Sequence, residues 1–164
     1  MAYNSNSLFF ESTLNLTEVI KPNEIPESNN IENILLNKIK ERIGNKCIQR
    51  GYVKKDSIKI LERSIGKINS AHFNGNIHYN VRISLDICIP HIDTVLNCKV
   101  VGKNPAGIMC INGPLQILIS PEIHSNVDSF NTINKGDIIS IIIIKYQIML
   151  NDDHIRVIGK LSSQ

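Results

Sequence analysis

This 164-residue sequence lacks the signals of a membrane or secreted protein. No apolar run approaches the roughly 20 residues that a transmembrane helix needs. The start "MAYNSNSLFFES" has no basic segment followed by an apolar stretch. Its four cysteines show no two-residue spacing, which disfavours a zinc knuckle and a disulfide scaffold. We therefore expect reduced thiols in an intracellular protein that has no membrane partner.

Sequence motifs for catalysis are missing as well. The segments "GKN" and "NPAG" lack the spacing of a phosphate-binding loop or a dinucleotide fingerprint, and no serine has the context of a nucleophile elbow. The run Asp152-Asp153-His154 follows Asn151, which is more typical of a hairpin turn than of a metal site. We predict no catalytic residue, metal or cofactor. An enzyme, the alternative class, would need a pocket where perturbed titratable groups converge.

Positive charge is concentrated in the first half of the chain. Ten basic residues and three acidic ones lie between Lys38 and Lys67, whereas six basic and seven acidic residues follow from Asp86 onward. Such a stretch suits an acidic protein surface or a phosphate backbone, and a solvated face stays open as the alternative. The candidate basic contacts are Lys54, Lys55, Lys59 and Arg63.

One segment predicts an unusually long strand. From Ile77 to Ile89 every odd position is apolar, which is the pattern of a strand with one buried and one wet face. At about 3.3 Å per residue such a strand spans roughly 43 Å, about twice an ordinary strand. We expect it to run out of one sheet towards a second and to stop at Pro90; a long bent strand inside one barrel is the alternative.

The first half otherwise predicts one helix beside a few antiparallel strands. An opening strand lies in "SLFFESTLNLTEVIKP", and a proline-containing loop follows. Apolar residues at four-residue spacing, Ile31, Leu35, Ile39 and Ile43, predict a helix. Asn29 and Glu32 would form a capping box at its start, and Gly44 a left-handed cap at its end. We interpret residues 1–85 as a small α+β domain.

The second half predicts five short strands. They lie in "VLNCKVVGKN", "AGIMCIN", "LQILIS", "DIISIIIIKYQIM" and "HIRVIGKL". Turn residues separate them, and the longest connection, from Pro121 to Gly136, joins the third strand to the fourth. This layout is typical of an OB fold, although other five-stranded barrels share its periodicity. We interpret residues 86–164 as this barrel domain.

A series of different short motifs follows one another along nearly the whole chain, from about Leu8 to Leu161. They are Gly51-Tyr52-Val53, Gly66-Lys67-Ile68, Tyr79-Asn80-Val81, Pro90, Val95, Lys103 to Gly107, Gly113-Pro114, Ile119-Ser120, Gly136-Asp137-Ile138 and Ile158-Gly159-Lys160-Leu161. In this order the chain resembles the larger stalk subunit, the seventh-subunit family, of multisubunit DNA-directed RNA polymerases. The resemblance implies an α+β protein: a small N-terminal α/β tip domain followed by a C-terminal five-stranded OB-fold barrel of the ribosomal S-one type.

The same resemblance implies a non-catalytic subunit that docks near the polymerase clamp and RNA exit path and supports transcription. Its partners would be the largest and other core subunits, a smaller fourth-subunit-like stalk partner and nascent RNA. In this family, loops at the far end of the tip domain face the core enzyme. The corresponding residues here are Lys21, Pro22, Pro26, Ser64, Ile65, Gly66 and Lys67.

The barrel departs from the usual pattern of RNA-binding OB folds, which stack bases on aromatic side chains in a basic groove. Its only aromatic residues are Phe130 and Tyr146. We therefore expect weak RNA binding by the isolated protein. The candidate RNA contacts are Lys99, Lys103, His124, Lys145 and Tyr146.

A free-standing OB-fold RNA-binding protein is the alternative function, and it predicts RNA affinity without a polymerase and a strong salt dependence. The chain is close to the minimum length of the family that it resembles and is heavily diverged from it, and its 31 isoleucines and 20 asparagines have AT-rich codons. Together these features favour a large DNA virus or a similarly divergent source. A divergent nuclear homologue stays open. We expect a viral protein in the virion and host cytoplasm, and a cellular one in the nucleus.

Overall fold

The computed structural model describes residues 8–25, 30–68, 74–121 and 132–162. These residues form mostly strands, together with one α-helix, α1 (Ile31–Ile43), and short 3₁₀ turns at Pro22–Glu24 and Lys55–Ser57. The strands are β1 (Phe9–Ile20), β2 (Cys47–Ile48), β3 (Gly51–Val53), β4 (Lys59–Arg63), β5 (Lys67–Ile68), β6 (Ile77–Cys88), β7 (Val95–Asn104), β8 (Gly107–Asn112), β9 (Leu115–Ile119), β10 (Ile138–Gln147) and β11 (Ile155–Leu161).

The chain folds into two compact units. The first, the barrel unit, comprises the described residues of Met1–Phe9, Lys46–Tyr52 and Cys88–Gln164. The second, the helical unit, comprises the described residues of Phe10–Asn45 and Val53–Ile87. The domain ranges 1–85 and 86–164 stay a prediction.

Five strands of the barrel unit close on themselves in the order β10-β11-β9-β8-β7. β10 seals the barrel because it pairs antiparallel with β11 on one side and with β7 on the other. β9 and β11 run parallel, whereas β7, β8 and β9 form an antiparallel meander. All five strands lie where the sequence predicts them, and the closed barrel is consistent with an OB fold.

The barrel core is aliphatic because alternate residues of each strand point inward. On β9, Leu115, Ile117 and Ile119 are fully buried while Gln116 and Leu118 lie outside. β10 and β11 contribute in the same way, with Ile141 and Ile143 on β10. A small residue, Gly159, lets β11 approach the core closely, since an added Cβ would lie 3.1 Å from Ile141 Cδ1.

The other sheet has six strands and is organised around β6, in the order β1-β6-β3-β2, with β4 and β5 also paired to β6. The predicted long strand therefore exists, with 12 residues. Among the described residues, the strand partners of β6 all belong to this one sheet, so the alternative of a long strand inside the barrel is not seen. The last residue of β6, Cys88, belongs to the barrel unit and its buried core, and the expected extension towards a second sheet stays a prediction. The helix packs by a buried stripe of Leu35, Ile39 and Ile43.

The expected alternation of buried and wet residues holds for only the first part of β6. Tyr79, Val81 and Ile83 are buried, and Asn80 and Arg82 are exposed. In the second part the predicted wet face is covered as well: Ser84 and Cys88 are buried. The buried hydroxyl of Ser84 donates to Glu11 Oε1 at 2.6 Å, which satisfies a polar group away from water.

Both predicted helix caps need correction. At the start of α1 the capping residue is Asn30, whose Oδ1 accepts from the Asn33 N–H at 3.3 Å; the predicted Asn29 lies outside the described residues. At the end, Gly44 is extended (φ −68°, ψ 134°) rather than left-handed. The left-handed residue is Asn45, with φ 55°.

Close packing, not backbone freedom, explains the glycine at position 44. A Cβ there would lie 2.4 Å from the Lys40 carbonyl oxygen and 2.6 Å from Lys55 Cγ. The next residue can turn left-handed because it is an asparagine whose local hydrogen bonds offset the strain. Its N–H donates to the Val53 carbonyl at 3.0 Å, and its Oδ1 accepts from the Lys55 N–H at 3.1 Å.

Gly107, the first residue of β8, provides a test of the barrel. Its φ is +150°, and an added Cβ would lie 2.4 Å from the Ile119 carbonyl oxygen. We expect Gly107→Ala to lower the free energy of unfolding by about 2 kcal/mol. The melting temperature, measured by circular dichroism, should fall by about 4 to 8 °C.

Gly102 on β7 is the matched control, since an added Cβ there meets no atom within 4 Å. We expect Gly102→Ala to leave the melting temperature nearly unchanged. Equal effects of the two substitutions would mean that the close approach of Gly107 to β9 does not constrain the barrel.

Candidate interaction surfaces

The described residues contain no group of three or more histidines, cysteines, aspartates or glutamates that could hold a metal ion. All four cysteines are free and buried. Burial raises the pKa of Cys47 to about 11, with a further contribution from Asp152 and Asp153. Burial likewise raises the pKa of Cys88 to about 12. Thiols with such pKa values stay protonated at neutral pH and are poor nucleophiles.

The acidic run before β11 is a turn, as the sequence predicts. Asn151 is left-handed with φ 67°, and the Asp152 N–H donates to the Met149 carbonyl at 3.2 Å. Asp152 Oδ2 pairs with Arg156 at 3.3 Å, and Asp153 pairs with His154. The His154 hydrogen bond is the main reason that the pKa of Asp153 lies below its ordinary value. Both carboxylates are therefore engaged with neighbouring side chains.

The two predicted docking loops lie at the same end of the helical unit, beside the start of β6. In the first loop, Pro22 Cγ lies only 2.9 Å from where a Cβ on Gly75 would stand. In the second, Lys67 pairs with His78. Ser64 is fixed to β6 twice: its N–H donates to the Asn80 carbonyl at 2.8 Å, and its Oγ accepts from the Asn80 N–H at 3.0 Å. Pro26, also predicted, lies outside the described residues.

This end of the helical unit exposes apolar side chains, and we name it the tip surface (Lys21–Ile25 and Ser64–Ile68). Ile65 is 83% exposed and Ile68 is 65% exposed. Ile25 is 40% exposed. Of these three isoleucines, only Ile65 is among the predicted docking residues. Ile25 and Ile68 both lie next to predicted residues, so the sequence signal was present.

Glu24 anchors the first loop of the tip surface. Its Oε2 accepts from the Lys21 N–H at 2.9 Å and from Lys38 Nζ at 2.6 Å. These two contacts hold the pKa of Glu24 below its ordinary value of 4.5, and the backbone hydrogen bond from Lys21 has the larger effect. The loop is thereby tied to α1, which carries Lys38.

The basic stretch is partly neutralised by ion pairs inside the same unit. Besides the Lys38–Glu24 pair, Arg42 Nη2 lies 2.6 Å from Oε1 of the buried Glu18, and Arg63 Nε lies 3.7 Å from Glu32 Oε1. Of the four predicted basic contacts, Lys54, Lys59 and Arg63 are exposed and Lys55 is half-buried. The structure therefore leaves less positive charge for an external partner than the sequence count suggests.

A groove with a volume of about 360 Å³ crosses the outside of the barrel over β8, β9, β11 and β10. We name it the barrel groove. Its aliphatic lining residues are in register across the strands: Met109 pairs with Leu118, and Leu118 pairs with Ile158. Ile158 in turn pairs with Lys145. Arg156 and Gln116 also line the groove.

The predicted RNA contacts are only partly brought together. Lys145 and Tyr146 line the barrel groove. Lys99 lies on β7 opposite Ile111, and Lys103 donates from Nζ to the Ile133 carbonyl at 3.3 Å. His124 lies outside the described residues. Arg156, Leu118 and Met109 also line the groove but are not among the predicted contacts. The alternation within their strands identifies each of them as outward-facing.

Comparison with known proteins gives an informative relative. The chain matches no protein-family profile. It is 28% identical over 170 residues to an Acanthamoeba polyphaga mimivirus protein named "Putative DNA-directed RNA polymerase subunit", and the match covers 94% of this chain and 82% of that protein. No helix among the described residues is both long and apolar enough to cross a membrane.

The anchoring of Glu24 predicts a measurable titration. In the folded protein its carboxyl carbon, followed by NMR, should titrate with a midpoint below 4.5. Because the folded pKa is the lower one, the stabilising contribution is complete above 4.5 and is lost as the pH falls through the folded pKa. Lys38→Met should raise the midpoint but leave it below 4.5, since the Lys21 N–H still donates.

Lys40→Met on the same helix is the control and should leave the Glu24 midpoint unchanged. If Lys38→Met also leaves the midpoint unchanged, the ion pair does not hold the loop in solution.

Proposed function

We propose that this chain is a non-catalytic stalk subunit of the DNA-directed RNA polymerase of a large DNA virus. The observation that carries the proposal is the similarity to the mimivirus protein, which extends over 94% of this chain. A similarity of that extent includes both structural units and is not limited to the barrel, which is a fold that many unrelated proteins share. The polymerase core subunits are the partners that the proposal requires.

The architecture of the chain supports the proposal. A closed five-stranded barrel follows a unit with one helix and a sheet, in the order expected of the seventh-subunit family. The two loops proposed for core docking both lie beside the start of β6, so one partner surface could contact them together.

Docking on the polymerase core would depend mainly on the apolar side chains of the tip surface. Ile65 is 83% exposed, and burying an isoleucine side chain contributes about 1.5 to 3 kcal/mol. Because Glu24 and Ser64 fix the two loops, little conformational entropy would be lost on binding. An effect on the clamp would require tighter binding to its closed state than to its open state.

Affinity purification of the tagged protein from its native source, with a moderate-salt wash, tests the docking proposal. We expect the two largest polymerase subunits in near-equal amounts. Ile65→Asp should reduce their recovery at least about tenfold, because it places a charge in the proposed apolar contact. The readout is mass spectrometry of the retained proteins.

Ile138→Asp is the matched control, since Ile138 is an isoleucine of the barrel with 75% exposure. It should leave recovery unchanged. The double reversal Lys54→Glu and Lys55→Glu should weaken recovery if the basic stretch is part of the interface, and unaltered recovery would make that stretch a solvated face. Absence of polymerase subunits from the wild-type sample would contradict the proposed function.

RNA binding distinguishes this proposal from a free-standing RNA-binding protein. Stacking on an aromatic side chain contributes about 1 to 3 kcal/mol per base. Of the barrel aromatics, Phe130 lies outside the described residues. Tyr146 lines the barrel groove but is half-buried against the core, so only part of its ring is open to stacking. We expect only weak binding of a uridine 20-mer by the isolated protein in a filter assay at physiological salt. Tight, salt-sensitive binding would contradict this and favour the alternative.

A further inference from the structure

The outer face of the barrel carries a row of exposed aliphatic side chains. Met109, Leu118 and Ile158 occupy register-matched positions on three neighbouring strands, with 39%, 41% and 40% exposure. Ile111, next to this row on β8, is 43% exposed. Neighbouring strands are about 4.8 Å apart, so the row spans roughly 10 Å. Side chains in such a row form one continuous apolar strip, unlike isolated apolar residues on a surface.

Positive charges border this strip. Lys145 continues the row on β10, directly opposite Ile158. Arg156 lies in the adjacent row, where it pairs with Asp152 at 3.3 Å. Among the described residues, the side chains that line the barrel groove include no carboxylate. The strip therefore complements a ligand that combines apolar side chains with negative charge.

The structure restricts how such a ligand can bind. Every strand of the barrel is paired on both sides, so a ligand strand cannot be added at an edge. Contact must therefore be made by side chains alone. A short amphipathic helix, which presents apolar residues three and four positions apart, fits an apolar groove in this way. Met109 adds adaptability, because methionine is flexible and polarisable.

We propose that the barrel groove binds a short acidic amphipathic helix of a partner protein. The lining favours a peptide over nucleic acid, since it is mainly aliphatic and its one aromatic side chain among the described residues, Tyr146, is half-buried against the barrel core. Leu118 and Ile158 would hold the apolar stripe of the helix, and Lys145 would contact a carboxylate beside it. The proposal goes beyond a role in polymerase docking and concerns a different surface.

Fluorescence anisotropy with the full chain tests the proposal. The probe is a labelled 14-residue helical peptide with leucines at three- and four-residue spacing and glutamates on both flanks. We expect saturable binding that a scrambled peptide of the same composition lacks. Leu118→Ser and Ile158→Ser should each weaken binding at least about tenfold, and Lys145→Glu about three- to tenfold.

Two exposed residues outside the groove provide controls. Ile138→Ser removes an aliphatic side chain and Lys135→Glu reverses a charge, and neither should change binding. Melting temperatures of all variants separate lost binding from lost folding. Because two independent groove variants are tested, misfolding of one leaves the other to decide.

Three results would overturn the proposal. The first is no binding of the helical peptide to the wild-type chain. The second is binding that neither Leu118→Ser nor Ile158→Ser weakens. The third is binding of a uridine 20-mer that these substitutions abolish while the peptide does not bind, which would assign the groove to nucleic acid.

Discussion

Closure of the barrel through β10 is the constraint on which the structure of this unit depends. β10 pairs with both β7 and β11, so a chain of five short strands leaves no open edge. The inward residues, such as Ile141 and Ile143, are then fully enclosed. The outward side chains of the same strands are not needed for closure, because backbone hydrogen bonds between the strands close the barrel. The outer surface can therefore change composition without loss of the fold.

Hydrophobic periodicity predicted the elements of the fold well. The strand segments around Val95, Leu115 and Ile155 were identified because apolar residues alternate there and Gly or Pro separates them. α1 was identified because Leu35, Ile39 and Ile43 recur with helical spacing. These patterns can be recognised in a single sequence because each of them reflects a face of a strand or helix that must be buried.

Contacts between distant residues could not be predicted in the same way. The sequence predicts a left-handed glycine at position 44. The glycine is instead required because Lys40 and Lys55 approach too closely to leave room for a Cβ. Burial of Ser84 depends on Glu11, which lies 73 positions earlier in the chain. The barrel groove depends on the register between strands. Met109, Leu118 and Ile158 are outward-facing residues of three different strands, and they form one strip only because Met109 pairs with Leu118 and Leu118 pairs with Ile158.

The exposed aliphatic side chains on the outside of the barrel favour contact with a protein over an apolar surface that has no binding role. An exposed aliphatic row costs solubility, and a solvated β-strand would tolerate polar residues at the same positions. Gln116 lies beside the row with its Nε2 3.4 Å from Met109 Sδ, so polar side chains are accommodated here. Aliphatic residues nevertheless occupy three register-matched positions on three different strands. Since closure of the barrel does not require them there, binding is the physical role that their placement fits.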